Sequence, residues 1–199
     1  TVLLVYIDRS SSICSYSDGG LKGIQCSYKT VAEKYIRPIM LARDGVQVEI
    51  RAFVRQDVVL VSKKVDIWEK IRGSLNGEIK KAPYPQSETN KTLFSELIRG
   101  LNYRCQSERG KDFYVLILSD GHPDESFEDI AAASAGFGAY KLTNMRCLLI
   151  APVAPDMNRR WREKMTEAVN LMGPDVFVSN ATDYQPAVER VKEALGGAK

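Results

Sequence analysis

Hydrophobic and polar positions along the chain follow two alternating regimes. Val2-Leu3-Leu4-Val5-Tyr6-Ile7 is apolar without alternation, the pattern of a strand covered on both faces, and it stops at Asp8-Arg9-Ser10-Ser11-Ser12. A polar stretch with Ser17-Asp18-Gly19-Gly20 and Gly23 follows. Val31, Tyr35, Ile36 and Ile39 then take helical spacing in a helix from about Ser27, which Pro38 should kink or end. Gln47 to Val54 alternates polar and apolar residues, as a half-covered or edge strand does, and Val58–Val61 suits a short neighbouring strand. Val65–Arg72 reads as a short helix, and residues 76–91 as a loop with Pro83 and Pro85. Thr92 stands where an N-cap would stand, ahead of Leu93, Phe94, Leu97, Ile98 and Leu101 on a helix.

The second half repeats the alternation. Phe113-Tyr114-Val115-Leu116-Ile117-Leu118 is a second fully buried strand, ending at Asp120-Gly121, and a helix follows from about Ser126 to Leu142. Met145–Ala151 is a third buried strand, Trp161–Leu171 is helical, and Val176-Phe177-Val178 is a short strand. Asp183–Leu195 closes as a helix ending in Gly196-Gly197. Strands that alternate with helices pair in parallel, because a parallel connection must cross over and a helix is the usual crossover. The expected fold class is therefore α/β: a doubly wound, mostly parallel central sheet flanked by helices on both faces. No repeat, low-complexity tract or domain-sized linker interrupts it, so residues 1–199 are expected to form a single domain.

Composition narrows the function classes. Of 199 residues 44% are hydrophobic and 27% charged, with 28 Lys+Arg against 25 Asp+Glu for a net charge of +3. That balance excludes an intrinsically disordered chain. Apolar stretches as short as Val115–Leu118 and Leu148–Ala151 exclude a membrane span. The small positive charge is too diluted to imply nucleic acid. There is no initiator Met and no signal-like segment, so the chain reads as a trimmed fragment whose compartment stays open, the cytoplasm slightly favoured over an extracellular setting. Among the four cysteines, Cys14 and Cys26 flank the glycine-rich loop and are able to pair, Cys105 sits near a helix end, and Cys147 reads as a buried free thiol. No Cys-x-x-Cys occurs, and the spacing matches no dense disulfide framework.

Candidate chemistry gathers at strand ends. Ligands of doubly wound sheets bind at the carboxyl ends of strands near a topological switch point. Asp8, Ser10 and Ser12 follow the first strand, Thr92 precedes a helix, and Asp120 ends the second buried strand. Two carboxylates and three hydroxyls form an all-oxygen set, suited to Mg²⁺, Mn²⁺ or Ca²⁺ rather than to zinc or copper.

These motifs resemble the von Willebrand factor type A (VWA) family and its metal-ion-dependent adhesion site (MIDAS). The family pattern of Asp-x-Ser-x-Ser, a Thr in a second loop and an Asp-Gly after a later strand reads here as Asp8-Arg9-Ser10-Ser11-Ser12, Thr92 and Asp120-Gly121, in order, on an alternating pattern that runs the length of the chain. The resemblance implies that Ser10 and Ser12 give hydroxyl oxygens to a divalent cation. It implies that Thr92 binds directly or through water, and that Asp8 and Asp120 hold metal-bound waters or contact the ion. It further implies Mg²⁺ (or Mn²⁺/Ca²⁺) as cofactor, no catalysis, and a protein partner whose Asp or Glu fills the open metal position. Family members include intracellular proteins that work beside AAA-type ATPases and extracellular adhesion proteins.

The chain departs from the pattern at Ser11, where the family usually has Gly, at Asn90-Lys91 before Thr92, where it has Gly-Gly, and at Arg9. Thr89 is the alternative to Thr92. Arg9, Ser11, Lys91 and His122 surround the expected metal position and are candidate partner contacts. Ile13 to Cys26 is long for this position and is either a loop over the site or a surface insertion.

Other features have plainer readings. His122, the single histidine, lacks a Gly-x-Ser-x-Gly elbow or any triad context and reads as a loop residue; Asp124 and Glu125 read as loop carboxylates. Arg159-Arg160-Trp161-Arg162-Glu163-Lys164 reads as a solvated first helical turn with Trp161 packing inward. Gly19-Gly20-Leu21-Lys22-Gly23 matches no phosphate-binding fingerprint. Asn90-Lys91-Thr92 and Asn180-Ala181-Thr182 match the N-glycosylation triplet, which is frequent by chance. The rival functions are a metal-independent VWA scaffold, favoured by the departures at Arg9, Ser11 and Lys91, and a metal-dependent α/β enzyme, for which His122 and Asp124 are the candidate bases.

Overall fold

The uniformly apolar segments become the inner strands of one sheet. In the computed structural model, which describes residues 1–8, 16–17, 20–21, 32–43, 45–53, 57–64, 93–119, 123–152, 159–173, 175–178 and 185–197, strand β1 is Val2–Asp8. Tyr16–Ser17 (β2) and Gly20–Leu21 (β3) pair as a small antiparallel ribbon inside the long loop after β1. Helix α1 is a π-helical turn, Ala32–Ile36, running into Arg37–Met40. Pro38 stands in the first turn of that second part, where its missing N–H costs nothing, and the helix ends within one turn of it.

Next come β4 (Gln47–Phe53), β5 (Asp57–Lys64), α2 (Phe94–Ser107), β6 (Phe113–Ser119) and α3 (Phe127–Ala139). The chain continues through β7 (Met145–Pro152), α4 (Arg159–Asn170), β8 (Val176–Val178) and α5 (Gln185–Gly197).

The sheet order is β5-β4-β1-β6-β7-β8, with only β5 antiparallel to its neighbour. The chain first winds from β1 toward β4 and then returns to add β6, β7 and β8 on the other side. Strands β1 and β6 therefore flank the point where the winding reverses, and their carboxyl ends lie side by side. This is the expected doubly wound α/β fold.

Two apolar cores sandwich the sheet. On one face Leu3, Val5, Val48, Ile50, Leu116 and Leu149 pack with Ile36 and Ile39 of α1 and Val188, Val191 and Leu195 of α5. On the other, Leu4, Tyr6, Val115, Ile117 and Ile150 pack with Phe94, Leu97 and Leu101 of α2, Ile130 and Phe137 of α3, and Met165 and Val169 of α4. The successive residues of β6 are all buried, as a strand covered on both faces requires.

Several local expectations are corrected. The alternating strand is neither half-covered nor an edge: β5 pairs along its outer side, and its polar position Glu49 is only 3% exposed. Glu49 alternates with apolar neighbours because it faces Arg104 of α2, which donates to both carboxylate oxygens at 2.6 and 2.7 Å. The N-cap position of α2 falls at Leu93, which makes no side-chain cap bond, and Thr92 lies outside the described residues. Helix α3 stops at Ala139, short of Leu142, because Lys141 enters the left-handed region at φ 47°. Trp161 packs inward, edge-on to Phe127 with ring centroids 6.0 Å apart, while Arg159 and Arg160 are exposed. Cys105 and Cys147 are buried free thiols. The expected helix at Val65–Arg72, the helix start near Ser27, and Cys14 and Cys26 lie outside the described residues. No described helix is long and apolar enough to cross a membrane.

Candidate functional site

The site is assembled where β1 and β6 end. Asp8 is the last residue of β1 and Ser119 the last of β6; both are fully buried, on the sheet face covered by α2 and α3. Parallel register brings Ile7 opposite Leu118, so the next pair along is Asp8 and Ser119. Ser119 Oγ donates a 2.6 Å hydrogen bond to Asp8 Oδ2. A carboxylate taken out of water at a strand end must be met by donors or by a cation. The hydroxyl supplies one such donor and fixes the orientation of the carboxyl plane.

The loop that leaves β6 carries Asp120 immediately after Ser119, and it is anchored at its far end as well. Glu125 Oε1 accepts the backbone N–H of Ser95, in the first turn of α2, at 2.8 Å. The adjacent Ser126 caps α3: its Oγ accepts the N–H of Asp129 at 3.1 Å and donates to Asp129 Oδ2 at 2.7 Å. These bonds join the N-terminus of α2 to the segment after β6, and the end of β6 to the end of β1.

Of the five expected metal ligands, Asp8 is described; Ser10, Ser12, Thr92 and Asp120 lie outside the described residues, as do Arg9, Ser11, Lys91 and His122. In sequence, Asp120 follows Ser119 and Thr92 precedes Leu93 at the start of α2. Among the described residues no group of three or more His, Cys, Asp or Glu side chains comes together as a metal site. The described donor chemistry fits a hard cation, since the buried Asp8 carboxylate and the Ser119 hydroxyl beside it offer oxygen alone.

Sequence reasoning overlooked two residues here. Ser119 reads as the end of an apolar run, and Glu125 reads as one more loop carboxylate. No signal in the sequence points to Glu125, because the missing cap shows only once the structure puts the N-cap of α2 at Leu93. A second concavity, of about 750 Å³, opens between α4, β8 and α5, lined in part by Thr166, Asn170, Phe177, Val178 and Arg190. None of the expected site residues lines it.

No protein-family model matches the chain, and no curated protein matches its sequence. Solved structures do match its fold. A von Willebrand factor type A protein from Catenulispora acidiphila superposes with a TM-score of 0.62 at 14% identity, over 96% of this chain and 41% of that one. The SpRpn10 VWA domain gives 0.60 at 8% identity, over 99% and 94%. Manganese-loaded TRAP protein of Plasmodium vivax gives 0.53 at 11% identity, over 98% and 72%. The chain thus has the VWA fold.

Proposed function

We propose that this chain is a single VWA-like domain that recognises a protein partner through a divalent cation. Asp8, Ser10, Ser12, Thr92 and Asp120 would hold the ion, Mg²⁺ or otherwise Mn²⁺ or Ca²⁺, and Arg9, Ser11, Lys91 and His122 would form the rim that a partner meets. The observation that carries the reading is the buried Asp8 carboxylate, oriented by Ser119 where the sheet reverses its winding. The manganese carried by the TRAP structure supports a cation in a fold of this kind.

A bound cation would supply positive charge and an open position for an acidic side chain. The chain's own residues do the rest. Ser119 keeps one Asp8 oxygen engaged, so that the carboxyl plane is held in one orientation. Neutral hydroxyls at Ser10, Ser12 and Thr92 would add oxygen donors without further negative charge, leaving the site attractive to a partner carboxylate. Two carboxylates and three hydroxyls form an all-oxygen set suited to holding a hard cation, so the reading is of a binding domain and not an enzyme.

Calorimetric titration of Mg²⁺ and Mn²⁺ into chelator-stripped protein, carried to millimolar metal, tests this. Saturable one-site binding that disappears in Asp8→Ala is the expected result. A wild-type protein that takes up no metal would instead favour the metal-independent scaffold, the reading to which Arg9, Ser11 and Lys91 point.

A further inference from the structure

Three loops carry the expected ligands, and two hydrogen bonds among the described residues tie them together. Ser119 to Asp8 joins the ends of β1 and β6 just before Asp120. Ser95 N–H to Glu125 joins the exit of the β6 loop to the first turn of α2, just beyond Thr92. The two residues that bracket the segment after β6, Ser119 and Glu125, are thus tied to Asp8 on one side and to the first turn of α2 on the other.

The second tie has a specific physical cause. The first four N–H groups of a helix have no partner within it, and Leu93 at the N-cap has no side-chain oxygen to offer. A carboxylate from a segment 30 residues away fills that role, in a charge-assisted bond that the helix dipole favours. Ser126 beside it caps α3, so two consecutive residues serve the first turns of two different helices. That double attachment fixes where α2 begins relative to the loop after β6.

We infer that Glu125 is a positioning residue for the cation site: through Ser95 it fixes the first turn of α2 against the end of the segment after β6, without touching the metal. This role rests on the metal-site reading above. Loss of the tie lets the first turn of α2 fray, so the segment entering α2 is no longer fixed relative to the one that follows β6. Mg²⁺ demands near-ideal octahedral geometry, whereas Ca²⁺ accepts flexible coordination, so the two ions should feel the loss unequally.

The test compares wild type, Glu125→Ala, Glu125→Gln and Asn144→Ala by Mg²⁺ and Ca²⁺ titration and by melting without metal. Asn144 donates to the carbonyl of Cys105 at the other end of α2, so its removal loosens the same helix away from the site. The expected result is Mg²⁺ affinity about tenfold weaker in Glu125→Ala, with Ca²⁺ affinity reduced less. Glu125→Gln keeps an accepting oxygen and should recover most of the loss. Asn144→Ala should melt lower with its Mg²⁺ affinity unchanged. A Glu125→Ala protein that melts lower but binds Mg²⁺ as wild type does would make Glu125 a helix cap and nothing more, overturning the positioning role while leaving the metal site standing. Equal weakening in Asn144→Ala would overturn it too. A wild type that binds neither ion would overturn the site itself, and the role with it.

Discussion

Arg104 of α2 faces the sheet and grips Glu49 of β4 with two hydrogen bonds, Nη1 to Oε1 at 2.6 Å and Nη2 to Oε2 at 2.7 Å. Arg51 adds a third contact to the same carboxylate at 2.6 Å, and Arg104 Nε reaches Glu108 at 2.8 Å. The guanidinium also stacks 5.4 Å above the ring of Phe113. The buried charge is therefore met on both oxygens by cations that are themselves held in place.

Removing one side of such a pair leaves a charge in the core. Glu49→Ala should lower unfolding stability by about 3 kcal/mol, read from urea denaturation midpoints, because Arg104 would lose its bidentate partner. Replacing Glu49 and Arg104 together by apolar residues of similar size should cost less than Glu49→Ala alone. A double variant less stable than the single one would refute this account.

Acid should act through the same cluster. Burial alone would raise the Glu49 carboxyl, but hydrogen bonds and charge from Arg104 and Arg51 outweigh it and hold the group below the usual glutamate range. A carboxyl lowered in the folded state contributes stability above its unfolded value and loses it as pH falls through the folded one. Urea midpoints should therefore be flat from neutral pH to about 5 and fall steeply below about 4. Glu49→Gln should flatten part of that fall.

Cation binding should appear as thermal stabilisation. At 100 times its Kd, Mg²⁺ should add about 2.7 kcal/mol to wild type. Asp8→Ala should show no such gain. Ser119→Ala should lower stability by about 1–3 kcal/mol without metal, because the buried Asp8 carboxylate loses a donor. Differential scanning fluorimetry across a metal series reads all three.

Gly138 of α3 faces the carbonyl of Leu171 so closely that an added Cβ would overlap it. That carbonyl belongs to the backbone of the turn after α4 and cannot swing aside as a side chain would. Gly138→Ala should lower stability by about 1–3 kcal/mol through displacement of α3 from α4. Gly136→Ala, on the same helix with open space around it, should be neutral or slightly stabilising. Thermal melts of the two variants provide the check.

The two core thiols should be inert while the protein is folded. Burial is the first cause in both cases, pushing Cys105 up to about 11 and Cys147 up to about 12. Peptide mapping after iodoacetamide treatment at pH 8 should find both unmodified in native protein and both alkylated in urea.

Much of this architecture was legible in the order of residues. The runs Val2–Ile7 and Phe113–Leu118 announce strands covered on both faces, and their alternation with helical spacing requires crossovers and a parallel sheet. Asp8, Ser10, Ser12, Thr92 and Asp120 announce themselves as an oxygen-rich set at strand and helix ends, because short-range spacing carries that information. Where sequence reading erred, at Glu49 as a half-covered alternation, the deciding partner was distant along the chain.

The tertiary structure alone decided such cases. Glu49 meets Arg104 across 55 residues and Glu125 meets Ser95 across 30, and no local periodicity encodes either meeting. The same holds for Ser119 and Asp8, 111 residues apart, which become neighbours only when β6 is laid beside β1. Hydrophobic periodicity is set by the few residues on either side of a position, so the sequence by itself determined the elements and the chemistry they carry. Which polar group meets which depends on the order in which strands join the sheet. Only that packing decided how a buried charge is satisfied.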